Sequence, residues 1–296
     1  MKSLLIGIPK GSLESATIAL FAKAGIRLWG EDRSLWLSSN DPELKPVLLR
    51  PQEIPQYVAK GNLDCGLAGW DWILENRAIE EIKLLADLCY SRRSFRPVRW
   101  VLAVSNDSDI QRVEDLKNRQ PPIQISTELC RVTEDWFSKR GVIADIMFSW
   151  GATEAKAPFF ADAIVECSET GSSLMANNLR IIETVLESTT RFFANKAVYK
   201  TDEWKRQKIE TISLLLTSCL AAEGKDAIRF SAERSDAGIL EALIPSTTHY
   251  LAWEDKNGGK LFEVMSERSS VKDIIPLLIR NGAKNISVFS VEMLYK

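Results

Sequence analysis

The sequence predicts an α/β protein that ends in a small ferredoxin-like unit. Three observations carry this. Short apolar runs are followed repeatedly by a glycine-bearing turn and a segment of helical apolar spacing. Such strand–turn–helix units build an α/β domain whose ligands gather at the carboxyl ends of the strands. Beyond residue 225 the order changes to β-α-β-β-α-β, which is the ferredoxin-like pattern. Third, residues 162–174, DAIVECSETGSSL, read as a buried strand feeding a small, hydroxyl-rich turn.

Taken in order, residues 4–8 are a buried-strand run and residues 9–12 a turn. Residues 13–24 have helical spacing that stops at Gly25. Lys10 and Gly11 sit in that turn just before a helix, where an anion can bind; an exposed lysine in a connecting loop is the equal alternative. A strand at 46–50 ends in Arg50, and residues 51–58 form a helix entered through a proline. Residues 63–69 give another strand and glycine turn, and Trp70-Asp71-Trp72 opens the next helix. Lys10, Arg50 and Asp71 therefore all fall near strand ends, where three turns could converge. Arg92, Arg93, Arg96 and Arg99 precede and enter a strand at 100–104. They could line a phosphate cleft, with a solvated loop the alternative for at least two of them.

A second α/β set follows, with strands at 123–126 and 146–148, a helix at 132–140, and then residues 162–174. In that segment Gly171 lets the backbone approach an anion, and Thr170, Ser172 and Ser173 add hydroxyl donors beside Glu169. Asp162 and Glu166 could accept hydrogen bonds from a sugar diol, so the segment suits a phosphorylated sugar. A plain helix-capping turn is the competing reading of these residues alone. Residues 181–198 form a long mixed stretch, and 201–222 a helix. The carboxyl-terminal unit reads as a strand at 227–230, a helix at 236–243, a hairpin of 251–253 with 260–265, a helix at 271–280 and a strand at 286–291.

Composition narrows the chemistry. The 296 residues are 45% hydrophobic and 26% charged with a net charge of −2. That gives no electrostatic footprint for nucleic acid or an anionic membrane. No apolar run approaches a membrane span, and the first residues do not read as a signal peptide, so the expected address is cytoplasmic. Five scattered cysteines, none in a CxxC pair, argue against disulfides or a zinc knuckle. With His249 the single histidine, multi-histidine metal sites are ruled out and Ser-His-Asp hydrolysis is disfavoured. Chemistry here must rest on positioning, acids, basic groups and a substrate-borne metal.

Four blocks in this order resemble one family. They are IPKGSLESAT at 8–17, LLRPQEIPQYVAKGNLDCGLAGWDWILE at 48–75, YSRRSFRPVRWVLAV at 90–104, and GATEAKAPFFADAIVECSETGSSLMANNLRIIETVLESTTRFFANK at 151–196. The sequence resembles ATP phosphoribosyltransferase in its long form, the enzyme that opens histidine biosynthesis. The resemblance implies a catalytic body of two lobes, similar to type II periplasmic binding proteins, followed by a ferredoxin-like regulatory domain of the ACT or PII kind. It places lobe I at 1–104 and 185–222, lobe II at 105–184 and the regulatory domain at 225–296.

The resemblance also implies roles. Glu169, Thr170, Gly171, Ser172 and Ser173 would hold the 5′-phosphate of phosphoribosyl pyrophosphate (PRPP). Asp162 and Glu166 would face the ribose hydroxyls and the metal-bound pyrophosphate end, and with Lys10 they are the catalytic candidates. Lys10, Gly11, Arg50, Asp71 and Glu154 would bind ATP or pyrophosphate. Mg²⁺ would be carried by substrate phosphates, with Asp162 or Glu166 as its protein contact. L-histidine would be the allosteric inhibitor, with Ser246, Thr247 and Thr248 as effector candidates, and the chain would form homo-oligomers, dimer and hexamer. Ser12 stands where many relatives carry arginine, and Leu129-Cys130-Arg131 stands where a proline-containing stretch is usual. The alternative is a non-catalytic ligand-binding or regulatory protein of the same two-lobed fold.

Overall fold

The computed structural model describes residues 2–31, 33–90, 97–117, 121–245 and 249–295. The chain divides into two compact units, Met1–Thr217 and Ser218–Lys296.

In chain order the first unit holds β1 (Leu4–Pro9), α1 (Glu14–Lys23), and a short ribbon of β2 (Leu28–Trp29) and β3 (Ser38–Ser39). Next come β4 (Leu44–Leu49), α2 (Ile54–Ala59), β5 (Cys65–Gly69), α3 (Trp70–Glu75) and β6 (Ile82–Leu88). Then follow β7 (Val98–Ser105), β8 (Ile123–Thr127), α4 (Cys130–Ser138), β9 (Ala144–Phe148), β10 (Ala163–Ser168) and α5 (Ser172–Ala176). The unit continues with β11 (Leu179–Ser188), β12 (Thr190–Asn195) and α6 (Lys196–Thr201), and α7 (Glu203–Ala222) leads out of it.

These strands make two mixed five-stranded sheets, ordered β4-β1-β5-β12-β6 and β11-β7-β10-β8-β9. In the first, β4, β1 and β5 are parallel, and β12 runs against both its neighbours. In the second, β10, β8 and β9 are parallel, and β7 runs against both β10 and β11. The central strands are continuous apolar runs because helices or loops cover both faces. Leu4, Ile6 and Ile8 of β1 are wholly buried, as are Ile164 and Val165 of β10. Each such side chain contributes about 2 kcal/mol relative to exposure.

The chain passes from the first sheet to the second after Leu88 and returns between Ser188 and Thr190. The divisions expected at 104/105 and 184/185 thus fall inside β7 and β11, both strands of the second sheet. The mixed stretch expected at 181–198 resolves into β11, β12 and α6, with the return crossing at Thr189. The strand β6 was not anticipated. It lies at a sheet edge, and its apolar run is interrupted by Lys83 and Asp87.

The second unit contains β13 (Lys225–Ala232), α8 (Ala237–Ala242), β14 (Tyr250–Glu254), β15 (Lys260–Glu267), α9 (Val271–Arg280) and β16 (Lys284–Ser290). Its sheet is antiparallel, in the order β14-β15-β13-β16. That is the β-α-β-β-α-β arrangement expected for this stretch. Phe230 and Phe262 stack at 5.0 Å over a core with Ile228, Leu240 and Leu278.

None of the five cysteines is in a disulfide. Among the described residues no helix is long and apolar enough to cross a membrane.

Candidate active site

A cleft of about 460 Å³ opens between the two sheets of the first unit. One wall is the end of β10 and the loop after it; the other is formed by the turns that follow β1, β4 and β5. The floor is the crossing region, including Tyr90, Trp100, Ser188 and Thr190.

The loop of residues 169–173 is shaped by Gly171, which adopts φ +79°. An L side chain is strained there, while a Cβ would meet only Ile181 Cδ1, at 3.9 Å. The Gly171 N–H donates to Ser168 Oγ at 2.9 Å, folding the loop back onto the strand end. Thr170 Oγ1 and Ser172 Oγ lie 3.0 Å apart. The Ser173 hydroxyl donates to the Glu154 carboxylate at 2.5 Å. Glu169, Thr170, Ser172 and Ser173 are exposed and line the cleft, so a compact set of hydroxyl and amide groups faces one space.

Glu166 lies in the same wall, near the end of β10. It accepts the Cys167 N–H at 3.0 Å, and the Thr153 hydroxyl nearby favours its charged form. Burial raises its pKa above the ordinary carboxylate value, and the charges of Glu154 and Glu128 raise it further. Neighbouring Cys167 also lines the cleft, its thiol pushed up to about 12 by burial first and then by nearby carboxylates.

Asp162 is elsewhere. It precedes β10, at the opposite end of the strand from the loop, and its carboxylate accepts the Gln124 N–H at 2.8 Å. It is not among the residues that line the cleft. Four residues of extended chain separate Asp162 from Glu166, about 13 Å, which keeps both on one face but at different ends.

Lys10 and Arg50, neither of them among the residues that line the cleft, are exposed at the ends of the parallel neighbours β1 and β4. The Lys10 N–H donates to the Leu49 carbonyl at 2.7 Å, which sets the two turns side by side. Gly11, at φ +101°, follows Lys10, and Ser12, Pro51 and Gln52 line the cleft directly. The Gln52 Oε1 atom is buried with no hydrogen-bond partner. Asp71 lines the cleft but is 5% exposed, with one oxygen taken by the Trp100 indole N–H and the other by the Trp72 N–H.

Glu154 is tied to Ser173 rather than lining the cleft. Arg99 stands in β7 opposite Ser168, at the base of the loop. Arg92, Arg93 and Arg96, and the effector candidates Ser246, Thr247 and Thr248, lie outside the described residues. Sequence reasoning missed Gln52, Tyr90, Glu128 and Thr190: Tyr90 and Thr190 reach the cleft where the chain crosses between sheets, Gln52 and Glu128 from the turns after β4 and β8.

Comparison with known proteins bears on the whole chain. The family model HisG: ATP phosphoribosyltransferase matches residues 50–218. The chain is 44% identical over 295 residues to the ATP phosphoribosyltransferase of Chlorobium phaeobacteroides, covering 98% of this chain and 97% of that one. It is 46% identical over 287 residues to the ATP phosphoribosyltransferase of Desulforudis audaxviator, covering 96% of each. Its fold is similar to a chain from the ATP phosphoribosyl transferase (HisG:HisZ) complex of Thermotoga maritima, with a TM-score of 0.60 and 24% identity over 72% of this chain and 98% of that one. With more than half its length matched by the family model and curated relatives aligned nearly end to end, the chain belongs to the ATP phosphoribosyltransferase family.

Proposed function

We propose that the cleft between the two sheets is where this ATP phosphoribosyltransferase joins its substrates, PRPP lying against the loop of residues 169–173 and ATP nearer the turns after β1 and β4. The reaction is the first step of histidine biosynthesis. N1 of the ATP adenine attacks C1 of the ribose, and pyrophosphate leaves.

The residues divide the work as follows. Thr170 and Ser172 donate hydroxyl hydrogen bonds to the 5′-phosphate, Ser173 stands beside them held by Glu154, and the turn at Gly171 lets the backbone come close to the phosphate. Glu166 faces the ribose, where its carboxylate holds the hydroxyls and counters the positive charge that grows on the sugar as the bond to pyrophosphate breaks. Lys10, Gly11 and Arg50 supply positive charge and N–H donors for the phosphates of ATP and the departing pyrophosphate. Asp71 and Glu154 act by holding other groups in place, Asp71 through Trp100 and Glu154 through Ser173. Fixing two anionic substrates in line supplies much of the rate, since no covalent intermediate with the protein is needed.

Mg²⁺ fits these donors. The cleft wall carries the hard oxygen donors Glu128, Glu166 and Glu169. The ion would be carried mainly by substrate phosphates, with Glu166 as its protein contact at the ribose end. When bound, it would neutralise charge on the pyrophosphate.

The finer architecture belongs to the same reading. The first unit is a two-lobed catalytic body similar to type II periplasmic binding proteins. The ferredoxin-like second unit is a regulatory domain that takes up L-histidine, and the enzyme works in the cytoplasm as a homo-oligomer, dimer or hexamer.

The observation that carries this reading is the meeting of Glu166 and the 169–173 loop on one wall of a cleft whose other wall includes Ser12, Leu13, Pro51 and Gln52, in the turns that follow Lys10 and Arg50. The test is to mix the purified chain with ATP, PRPP and Mg²⁺ and follow phosphoribosyl-ATP by its ultraviolet absorbance. Product formation that free histidine suppresses is expected. Absence of product, with or without a partner protein, would overturn the catalytic reading, and histidine-insensitive turnover would overturn the regulatory one.

A further inference from the structure

Gln52 lines the cleft from the turn after β4 and is half-buried, yet its Oε1 atom is closed to water and has no hydrogen-bond partner. An amide oxygen has two lone pairs, and leaving both unmet in a buried place costs stability. Most buried side-chain acceptors are satisfied, so this one calls for a reason. The main chain beside it is firmly held. Asn76 Nδ2 donates to the Gln52 carbonyl at 2.9 Å and to the Trp72 carbonyl at 2.8 Å, which uses both its protons and clamps the turn to α3. The backbone is thus fixed while Oε1 is uncommitted, and turning that oxygen into the cleft breaks none of its hydrogen bonds.

Three aromatic side chains, Trp72, Tyr90 and Trp100, line the same cleft, with Trp72 edge-on to Trp100 at 5.9 Å. Flat apolar surfaces beside an unmet acceptor suit a planar heterocycle that carries an N–H group. PRPP has only hydroxyl donors, and Glu166 on the far wall takes up those of its ribose. ATP brings the one N–H donor of the two substrates, the 6-amino group of adenine, next to the N1 atom that attacks. As N1 bonds to the ribose carbon the purine ring becomes cationic, and its 6-amino N–H becomes a stronger donor. An acceptor for that N–H therefore gains most in the transition state.

We propose that Gln52 is a specificity-determining residue for ATP, its Oε1 turning into the cleft to accept the adenine 6-amino N–H and hold N1 toward the ribose. This rests on the placement of ATP given under Proposed function.

Two nucleotides and two variants test it. Purine riboside triphosphate is ATP without the 6-amino group, whereas 2′-deoxy-ATP lacks a ribose donor instead. Gln52→Met keeps the length of the side chain and removes the acceptor; Gln52→Glu keeps an acceptor. Affinities are measured by titration calorimetry with Mg²⁺, and folding by circular dichroism. The wild-type chain should bind ATP roughly tenfold more tightly than purine riboside triphosphate. Gln52→Met should weaken ATP by about that factor, leave purine riboside triphosphate and PRPP unchanged, and bring the ratio of the two nucleotides near one. Its kcat/KM for ATP should fall further than its affinity for ATP. Gln52→Glu should retain the preference for ATP.

A wild-type ratio near one would overturn the assignment without any variant. So would an unchanged ratio in Gln52→Met, or loss of the preference in Gln52→Glu. A Gln52→Met variant that loses its preference over 2′-deoxy-ATP instead would move the contact to the ribose and overturn the adenine role. Failure of the wild-type chain to bind ATP at all would overturn the underlying placement rather than the role of Gln52.

Discussion

The indole Nε1 of Trp100 donates to Oδ2 of Asp71 at 2.6 Å, joining β7 of the second sheet to α3 of the first. The Asp71 N–H in turn donates to Ser188 Oγ at 3.1 Å, at the point where the chain crosses back between the sheets. Trp72 meets the Trp100 ring edge-on at 5.9 Å. These contacts pin the floor of the cleft, so the separation of its two walls depends on one buried carboxylate.

That carboxylate gives the fold a pH signature. Burial raises the Asp71 pKa above the ordinary carboxylate value, against opposing hydrogen bonds from Trp100, Trp72 and Ser188. A group with a raised folded pKa binds its proton more tightly in the native state. Its contribution is therefore fully present below the unfolded-state value and is lost as pH rises through the folded one. Asp71→Asn removes that dependence and keeps an acceptor for Trp100. Urea denaturation midpoints measured from about pH 4 to pH 7 should show the difference between variant and wild type moving in favour of the variant as pH rises. A pH-independent difference would contradict the assignment.

Gly69 is the position at which this pin is most exposed to substitution. A Cβ there would lie 2.0 Å from Asp71 Oδ1 and 3.3 Å from Ser188 Oγ. Gly69→Ala must displace the Asp71 side chain and strain its bond to Trp100. A loss of about 1–3 kcal/mol is expected from chemical denaturation, with a shift in tryptophan fluorescence. Wild-type stability and emission would show that Asp71 can move without cost.

A second tie between the sheets is electrostatic. The Glu75 carboxylate accepts the N–H groups of Arg131 and Val132, each at 3.0 Å, at the start of α4. It thus satisfies two donors that the helix cannot, and meets the positive end of the helix dipole. Glu75→Ala should cost about 1 kcal/mol and Glu75→Gln less, measured by thermal or urea unfolding. Equal stability of Glu75→Ala and wild type would contradict the capping role.

These relationships show what was legible in the sequence. The apolar β-branched runs and glycine turns announced β1, β5 and β10, and the hydroxyl cluster after β10 marked the loop, because those signals are local. The helix α4 begins two residues earlier than its spacing predicts, since its cap is Glu75, a residue from another sheet's helix. Asp162 and Glu166 look equivalent in sequence, as both bracket an apolar run. Strand geometry separates them by the length of β10, and only the end that meets the loop belongs to the cleft.

The central claim is that the loop of residues 169–173 grips the phosphate of PRPP. Gly171→Val tests it most directly, with PRPP binding measured by titration calorimetry and folding checked by circular dichroism. Room around the Cβ position leaves the fold intact, while a β-branched residue at φ +79° distorts the turn. The account expects PRPP affinity to fall by roughly tenfold or more, the equivalent of the 1–2 kcal/mol strain of a left-handed L residue. Unchanged PRPP affinity in a folded Gly171→Val protein would contradict it.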